Sequence, residues 1–561
     1  MHSFSRLVIA VLSCAFAAHA APEVKLGNTT VVGRDATITV LGGVFKSKQD
    51  FFGGIPYAEP PLGNLRLKPT VLKTSPGGDT FNASQYGPSC LQPPTANDPQ
   101  DSLDEDCLRI NILRPANISA DAKLPVLFWT YGGGFQGGST PIFNASAIVA
   151  LSEFRKTPVI YVNFNYRLGP LGFPQGAEAA RRGALNLALH DQLTALEWVQ
   201  RNIGIFGGDK TKVTVFGESA GSIMTAVQFL NPSFSKWARA AIFESGQAAT
   251  PHLLPAQDRE KSWADFVGAV PGCASVAGSN NTFDCLKAAN ASAIQQGLVA
   301  SIAEADELFA WDPTVDGDGG FIPDLPSRLF ENGTFAKLPF IAGTNLDEGP
   351  ASPTFNYSTE NLRNYIIANL TPPYVSEAEL KKAADRILQL YPDVPALGSP
   401  FNTGNETFGL PTGYKRLAAI YGDVAFQSQR RLWQQTAANA GVKSFGYLFT
   451  QPNDIIPQPV LGVPHGLELL FVYGGAFPFG ISAIKLSIAM MDYWLSFATS
   501  LNPNDGKGFP RPTWPQYTSE HQVLLQLNGN NITAIPDTFR KEQIDFINQN
   551  PVTFAHRRSF L

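Results

Sequence analysis

Charged residues are scarce in this chain of 561 residues. Asp, Glu, Lys and Arg together make up 16% of the sequence, the formal net charge is −5, and no long basic or acidic run occurs. A nucleic-acid interface needs a clustered basic face, and an anionic membrane surface attracts a polybasic segment. The sequence therefore predicts no nucleic-acid partner and no membrane-surface patch.

Long apolar runs are absent after the first twenty residues. A bilayer-spanning helix needs about 20 apolar residues, so no stable membrane insertion is expected. The N-terminal stretch from Leu7 to Ala18 is short for a membrane anchor, which is the alternative. Arg6 precedes this stretch and Ala18-His19-Ala20 ends it as a cleavage site, so residues 1–20 are predicted to be a signal peptide. Eleven Asn-x-Ser/Thr sequons agree with a secreted glycoprotein.

Cysteine is rare, and one of the five cysteines, Cys14, lies within the predicted signal peptide. The other four allow three pairings. The pairing that closes the shortest loops, Cys90 with Cys107 and Cys273 with Cys285, is our prediction. No C-x-x-C or paired-histidine spacing accompanies these cysteines, so no metal site is expected.

Neither an internal repeat, a low-complexity linker nor a break in composition divides residues 21–561, which we therefore predict to be a single domain. Apolar strand-like segments such as LPVLFWT alternate with helical ones such as NLALHDQLTALEWVQRNI. This alternation predicts an α/β fold in which a large, mostly parallel sheet is covered by helices on both faces. Residues 29–52 alternate apolar and polar side chains and predict a small N-terminal antiparallel sheet.

The segment GESAG at residues 217–221 matches the pattern G-x-S-x-G. A β-branched run, VTV, leads into it, and residues that can be helical lead out. A serine in a sharp strand-to-helix turn exposes its hydroxyl above a sheet, and the turn has room only for small residues two positions away on either side. The context therefore favours Ser219 as a nucleophile over a structural Gly-Ser turn.

A nucleophilic serine needs hydrogen-bond donors for the oxyanion that forms when it attacks a carbonyl. The next residue, Ala220, supplies one backbone N–H, and the glycine loop YGGG at residues 131–134 follows the strand-like segment PVLFWT. Gly133 and Gly134 are the other predicted donors, because glycine lets the backbone approach a substrate closely. A phosphate-binding loop is the alternative, but neither a P-loop lysine nor G-x-G-x-x-G spacing is present.

The general base is predicted to be one of seven histidines. In α/β-hydrolases the chain order is serine, acid, histidine. His465 lies in a Pro/Gly-flanked loop ahead of an apolar helical stretch, and it is the predicted base. The acid is predicted after the strand-like LPFIAG, where Asp347 and Glu348 stand side by side and the residues alone do not choose between them. The other histidines lie in the signal peptide, precede Ser219, follow it too closely, or stand in polar or basic segments: His2, His19, His190, His252, His521 and His556.

Several long motifs, in the same order, resemble those of the type-B carboxylesterase/lipase family, which includes cholinesterases and fungal secreted carboxylesterases and lipases. The motifs cover nearly all of the chain after residue 20, and they read FFGGIPYAEPPLGNLRL, EDCLRINI, GGDKTKVTVFGESAGS, AGTNLDEG, GVPHGLELLFVYG and WPQY. The resemblance implies an α/β-hydrolase fold and a serine esterase that needs no metal or organic cofactor.

The resemblance also assigns individual residues. It gives the role of the acid to Glu348, completing a triad with Ser219 and His465, and it supports both local disulfides. One departure is Tyr131, which stands where many relatives carry histidine before the triple glycine, although the backbone donors are expected to be unaffected. The remaining implied residues are a structural ion pair and two side chains behind the triad: Arg66 with Glu105, and Glu218 and Ser245.

The sequence as a whole predicts a secreted ester hydrolase that acts on small-molecule esters and exists as a monomer or weak homodimer. The loop between Cys90 and Cys107 reads LQPPTANDPQDSLDED and offers little apolar surface to an oil interface. Soluble short-to-medium-chain or aryl, feruloyl-type esters are therefore the predicted substrates. The alternatives are a lipase or sterol esterase acting on long-chain lipid esters and, more remotely, a non-catalytic cholinesterase-like adhesion protein.

Overall fold

The computed structural model describes residues 21–40, 45–250, 253–305, 310–349, 357–370, 374–452 and 459–554. The predicted signal peptide, residues 1–20, lies outside the described residues, as do His252, His556 and the sequon at Asn356. Within the described ranges, no helix has both the length and the apolar character needed to cross a membrane.

Sixteen β-strands occur in the described part of the chain. They are β1 (Glu23–Leu26), β2 (Thr29–Val32), β3 (Arg34–Val40), β4 (Phe45–Pro56), β5 (Thr80–Asn82), β6 (Ser89–Cys90), β7 (Leu103–Asp104), β8 (Arg109–Pro115), β9 (Leu124–Thr130), β10 (Ile160–Phe164), β11 (Gly208–Glu218), β12 (Ala240–Glu244), β13 (Phe340–Asn345), β14 (Ser444–Phe449), β15 (Val523–Leu527) and β16 (Thr533–Pro536).

Eleven strands form one large sheet in the order β16-β15-β14-β13-β12-β11-β9-β10-β8-β4-β3. The strands from β15 to β10 in that order run parallel, and the pairs at both edges are antiparallel. Every residue of β12 and β13 is buried, so both faces of the sheet are covered there. The predicted α/β fold with a large, mostly parallel sheet is confirmed.

A small separate sheet of β1, β2 and β5 lies at the N-terminal end of the chain. Its first two strands pair antiparallel, and β5 joins β2 in parallel. The region predicted to form antiparallel strands, residues 29–52, is divided between the two sheets, because β3 and β4 form an antiparallel pair at the edge of the large sheet.

Sixteen α-helices are formed by the described residues. They are α1 (Ser146–Phe154), α2 (Gly169–Gly172), α3 (Gly176–Arg181), α4 (Leu187–Asn202), α5 (Ala220–Phe229), α6 (Glu260–Ala269), α7 (Phe283–Ala288), α8 (Ala291–Ala303), α9 (Pro326–Glu331), α10 (Thr359–Asn369), α11 (Glu377–Leu390), α12 (Gly413–Gly422), α13 (Ser428–Asn439), α14 (Leu469–Val472), α15 (Ile481–Ser500) and α16 (Lys541–Gln549).

Two disulfides join the cysteines that are neighbours in sequence, Cys90 with Cys107 and Cys273 with Cys285. Beside the first of them, Arg66 and Glu105 form a buried bidentate pair, with both N···O distances at 2.6 Å. A third nitrogen of Arg66 donates to the carbonyl of Ala289, 2.7 Å away. Through these contacts, Arg66 joins the disulfide loop to the segment that follows α7. Removing either Arg66 or Glu105 would leave the other charge buried and unpaired, which is strongly destabilising.

Candidate active site

Ser219 lies in the turn between β11 and α5 with φ +53° and ψ −126°. A residue with a side chain rarely adopts this conformation, and such strain persists only where the surroundings enforce it. The two flanking glycines show how tight the turn is. A Cβ added at Gly217 would lie 2.7 Å from the carbonyl oxygen of Thr130, and one added at Gly221 would lie 2.0 Å from the same atom. The G-x-S-x-G spacing is thus a steric requirement of this turn.

Three side chains form a continuous hydrogen-bonded chain at the carboxyl ends of β11 and β13. His465 Nε2 lies 2.8 Å from Ser219 Oγ, and His465 Nδ1 lies 2.6 Å from Glu348 Oε2. The imidazole keeps 32% of its surface exposed, whereas the Glu348 side chain is fully buried. A hydroxyl, an imidazole and a carboxylate in this order can activate the hydroxyl as a nucleophile.

The structure separates the roles of the two adjacent carboxylates. Glu348 Oε1 accepts hydrogen bonds from Ser245 Oγ and from the backbone N–H of Asn345, each at 2.6 Å, which leaves Oε2 for His465. Asp347 does not contact the imidazole and instead binds two other segments of the chain, one at residues 399–401 and one at residue 463. Its oxygens accept hydrogen bonds from Ser399 Oγ and from the backbone N–H groups of Phe401 and Val463.

Glu218 lies beside the triad, with Oε1 3.2 Å from His465 Nε2. Burial raises the pKa of Glu218 to about 7, although the neighbouring His465 acts in the opposite direction. Burial lowers the pKa of His465, but the charges of Glu218 and Glu348 outweigh burial and raise it overall. The surroundings of His465 therefore favour the charged imidazolium form, which a histidine acting as a general base would take after accepting a proton.

Two further glutamates, not predicted from the sequence, lie behind the triad. Glu244 and Glu468 are fully buried, and burial raises the pKa of Glu468 to about 8. Glu244 Oε1 accepts a hydrogen bond from Trp494 Nε1 at 2.6 Å, and Glu468 accepts one from the side chain of Asn345. The one feature of the sequence that could have pointed to either glutamate is the position of Glu468, three residues after His465.

The glycine loop runs directly past Ser219. A Cβ at Gly132 would lie 2.6 Å from Glu218 Oε2 and 2.9 Å from Ser219 Cβ. Gly133 has φ +105°, and a Cβ there would lie 2.1 Å from the carbonyl oxygen of Gly137. Gly133 is exposed and Gly134 is half-buried. Ala220 begins α5, where the first backbone N–H groups have no partner inside the helix and favour negative charge.

Tyr131, the departure from the family pattern, is fully buried. Its ring stacks on Tyr166 with 4.4 Å between centroids, and the Tyr166 hydroxyl donates to the Tyr131 carbonyl at 2.7 Å. The tyrosine therefore supports the glycine loop from behind. Within the described ranges, no group of three or more His, Cys, Asp or Glu side chains is placed to hold a metal ion.

Comparisons with known proteins identify the family and the fold. The model of the carboxylesterase family matches residues 20–547. Lipase 2 of Geotrichum candidum is 33% identical over 90% of this chain and 93% of its own. Secreted lipase 1 of Botryotinia fuckeliana is 35% identical over 95% of both chains. The crystal structure of Aspergillus niger EstA superimposes with a TM-score of 0.79 at 25% identity, covering 96% of this chain and 99% of that one.

The resemblance found in the motifs is thereby confirmed. The family match covers almost all of the chain, and the relatives align over nearly their whole length. This chain belongs to the carboxylesterase family, and it is an ester-hydrolysing serine hydrolase with the α/β-hydrolase fold.

Proposed function

We propose that Ser219 is the nucleophile of this hydrolase, that His465 is its general base and acid, and that Glu348 orients and stabilises the imidazolium. The observation that carries this assignment is the unbroken hydrogen-bonded chain through the three side chains. His465 takes the proton of Ser219 as the hydroxyl oxygen attacks the ester carbonyl, and it then protonates the leaving alcohol. Water, activated by the same imidazole, hydrolyses the acyl-enzyme and regenerates the free serine.

The backbone N–H groups of Gly133, Gly134 and Ala220 are proposed to bind the oxyanion in both steps. Supporting this, the glycine loop approaches Ser219 so closely that a methyl group at Gly132 would collide with it. Each such donor is worth about 3–4 kcal/mol of transition-state stabilisation in comparable enzymes. Glu218 and Ser245 are proposed to hold His465 and Glu348 in place.

The proposed substrates are soluble esters of short-to-medium-chain or aryl, feruloyl-type acids. The loop between Cys90 and Cys107 supports this choice. Its two leucines face inward, since Leu91 is 4% exposed and Leu103 packs against a buried cluster. Its longest helical element is a single turn, Gln100–Ser102. The exposed residues include no large apolar side chain that could enter an oil droplet, and they are Pro94, Thr95, Ala96, Asn97, Pro99, Gln100, Asp101 and Asp104.

The loop is also anchored in place. Ser89 Oγ donates to Asp98 Oδ1 at 2.6 Å, and Gln92 Oε1 accepts the backbone N–H of Gly138 at 2.8 Å. A segment held at both points is poorly suited to opening at a lipid interface. Secretion is part of the same proposal, with removal of residues 1–20. It is supported by the two disulfides, which persist in oxidising compartments, and by the similarity to a secreted lipase.

A second candidate function is a lipase or sterol esterase acting on long-chain lipid esters. The observation that favours it is that two of the relatives reported above are themselves named lipases. A non-catalytic adhesion role has no such support, since all three members of the proposed triad are present and in contact.

A rate series distinguishes the two candidates. We expect nitrophenyl butyrate, nitrophenyl octanoate and methyl ferulate to be hydrolysed with kcat/KM at least tenfold above that for nitrophenyl palmitate, because the loop offers no interface-binding surface. The rate on tributyrin should rise smoothly through its solubility limit. Triolein emulsion and a cholesteryl ester complete the series, and the Ser219→Ala variant gives the background. A sharp rate increase once droplets form, or preference for triolein, would establish the lipase instead.

A further inference from the structure

One turn of π-helix lies next to the proposed active site. Residues Asp423–Gln427 form this turn between α12 and α13, and all five side chains are buried. A π-turn inserts one extra residue into a helix, interrupts its regular hydrogen bonding, and is frequently found at functional sites. Here it places Phe426 against the catalytic histidine.

The contact with His465 is close. The ring centroids of Phe426 and His465 are 4.8 Å apart, with 45° between the planes. Phe426 is 5% exposed, so its ring is held in the protein interior. A cation that lies over the face of an aromatic ring, within about 6 Å of its centroid, is attracted by the ring, and more strongly where water is excluded.

The π-turn is anchored at both ends. At its start, Asp423 accepts hydrogen bonds from Arg540 and from the Tyr391 hydroxyl, the latter at 2.7 Å. At its end, Gln427 accepts from Thr344 Oγ1 and donates to the carbonyl of Asn345, both at 2.7 Å. The second anchor joins the turn to the end of β13, whose next loop carries Glu348.

The backbone of the loop that carries Glu348 also packs closely against α12. A Cβ at Gly349, the residue after the catalytic acid, would lie 1.9 Å from the carbonyl oxygen of Ala418 in α12. A Cβ at Gly422 would lie 3.0 Å from the backbone nitrogen of Gly349. The helix that carries Phe426 and the loop that carries Glu348 are therefore fixed relative to each other.

We propose that Phe426 is a positioning residue for His465: its ring holds the imidazole between Ser219 and Glu348 and stabilises the imidazolium that forms in both half-reactions. This inference rests on the triad proposed above. The stabilisation acts only while His465 is charged, so it lowers the barrier for acylation and deacylation and leaves substrate binding largely unchanged.

This role of Phe426 predicts a specific change in the pH dependence of kcat/KM. The charged and titratable groups around the imidazole are Glu348, Glu218 and Glu468, and the Tyr421 ring lies beside Phe426. The ring of Phe426 favours the charged imidazole, so removing it lowers the pKa of His465. Hydrolysis needs the neutral imidazole, so the acid limb of the kcat/KM profile moves to lower pH.

The test replaces Phe426 with leucine, which keeps an apolar side chain but removes the ring. We expect Phe426→Leu to lower kcat for nitrophenyl butyrate by about 3- to 30-fold, to leave KM within about threefold, and to move the acid limb lower by about half a pH unit. Phe426→Tyr retains the ring and should restore most of kcat and the original acid limb. Phe426→Met is a second ringless variant in case the leucine variant does not fold.

The matched control is Phe335→Leu, since Phe335 is also buried and contacts Trp433 of α13, the helix that follows the π-turn. It should lower thermal stability without moving the acid limb. Parent-like kcat and acid limb in Phe426→Leu, or the same changes in Phe335→Leu, would overturn the role of Phe426. Full activity in Ser219→Ala would instead overturn the triad on which that role rests.

Discussion

Replacing Ser219 with alanine is expected to lower kcat for a nitrophenyl ester by about 10⁵- to 10⁶-fold. The acyl-enzyme route disappears with the hydroxyl, and only binding and the oxyanion donors remain to assist attack by water. KM should change little, because the serine hydroxyl contributes mainly to the transition state. Steady-state kinetics on purified protein, with uncatalysed hydrolysis subtracted, provide the measurement.

The matched control for this prediction is Ser222→Ala. Ser222 lies one turn further along α5, is fully buried, and donates its hydroxyl hydrogen to the carbonyl of Gly246 at 2.7 Å. Losing this hydrogen bond should cost stability, and kcat should stay within about tenfold of the parent. Residual activity in Ser219→Ala comparable to that of Ser222→Ala would exclude Ser219 as the nucleophile.

Replacing Glu348 with glutamine is expected to lower kcat by about 10³- to 10⁴-fold. The glutamine side chain is nearly the same size, but it carries no charge to stabilise the imidazolium. Its amide NH₂ can also donate to Nδ1 and so favour the tautomer in which Nε2 carries the proton and cannot accept that of Ser219. The pH profile of kcat should show the weakened base, because a less basic His465 moves the acid limb to lower pH.

The adjacent Asp347→Asn variant is the internal comparison. The asparagine side chain has only one oxygen that accepts hydrogen bonds. It could therefore keep the hydrogen bonds from the segment at 399–401 or the one from the backbone of Val463, but not both. We therefore expect lower thermal stability and less than a tenfold loss of kcat. A larger loss of kcat in Asp347→Asn than in Glu348→Gln would reverse the assignment of the acid.

Much of the fold was predictable from the sequence, because it depends on local signals. Buried parallel strands read as apolar runs, as LPVLFWT does for β9, and α4 carries apolar residues at helical spacing. The division of residues 29–52 between two sheets was not predictable, since pairing partners are set by distant strands. β2 pairs with β5, some fifty residues away, whereas β3 pairs with its neighbour β4.

In the candidate site, too, the features that depend on contacts between distant segments were not predictable from the residues alone. Ser219 was indicated by a steric pattern, and His465 by elimination among few histidines. The residues alone left the choice between Asp347 and Glu348 open, and only the family resemblance assigned the acid to Glu348. The choice depends on distant contacts, since Asp347 binds the segment at 399–401 and residue 463, whereas Glu348 contacts Ser245. Phe426 had no signal at all. The segment DVAFQ reads as ordinary helix, and the π-turn is fixed by Arg540 and Thr344, both far away in sequence.

Covalent labelling tests the central claim most directly. An organophosphate such as diethyl nitrophenyl phosphate phosphorylates an activated serine and releases nitrophenolate. We predict release of about one equivalent per chain, parallel loss of esterase activity, and a diethylphosphoryl adduct on Ser219 in the peptide that contains GESAG, located by mass spectrometry. Complete inactivation with this peptide unmodified and the adduct on another residue would contradict the account.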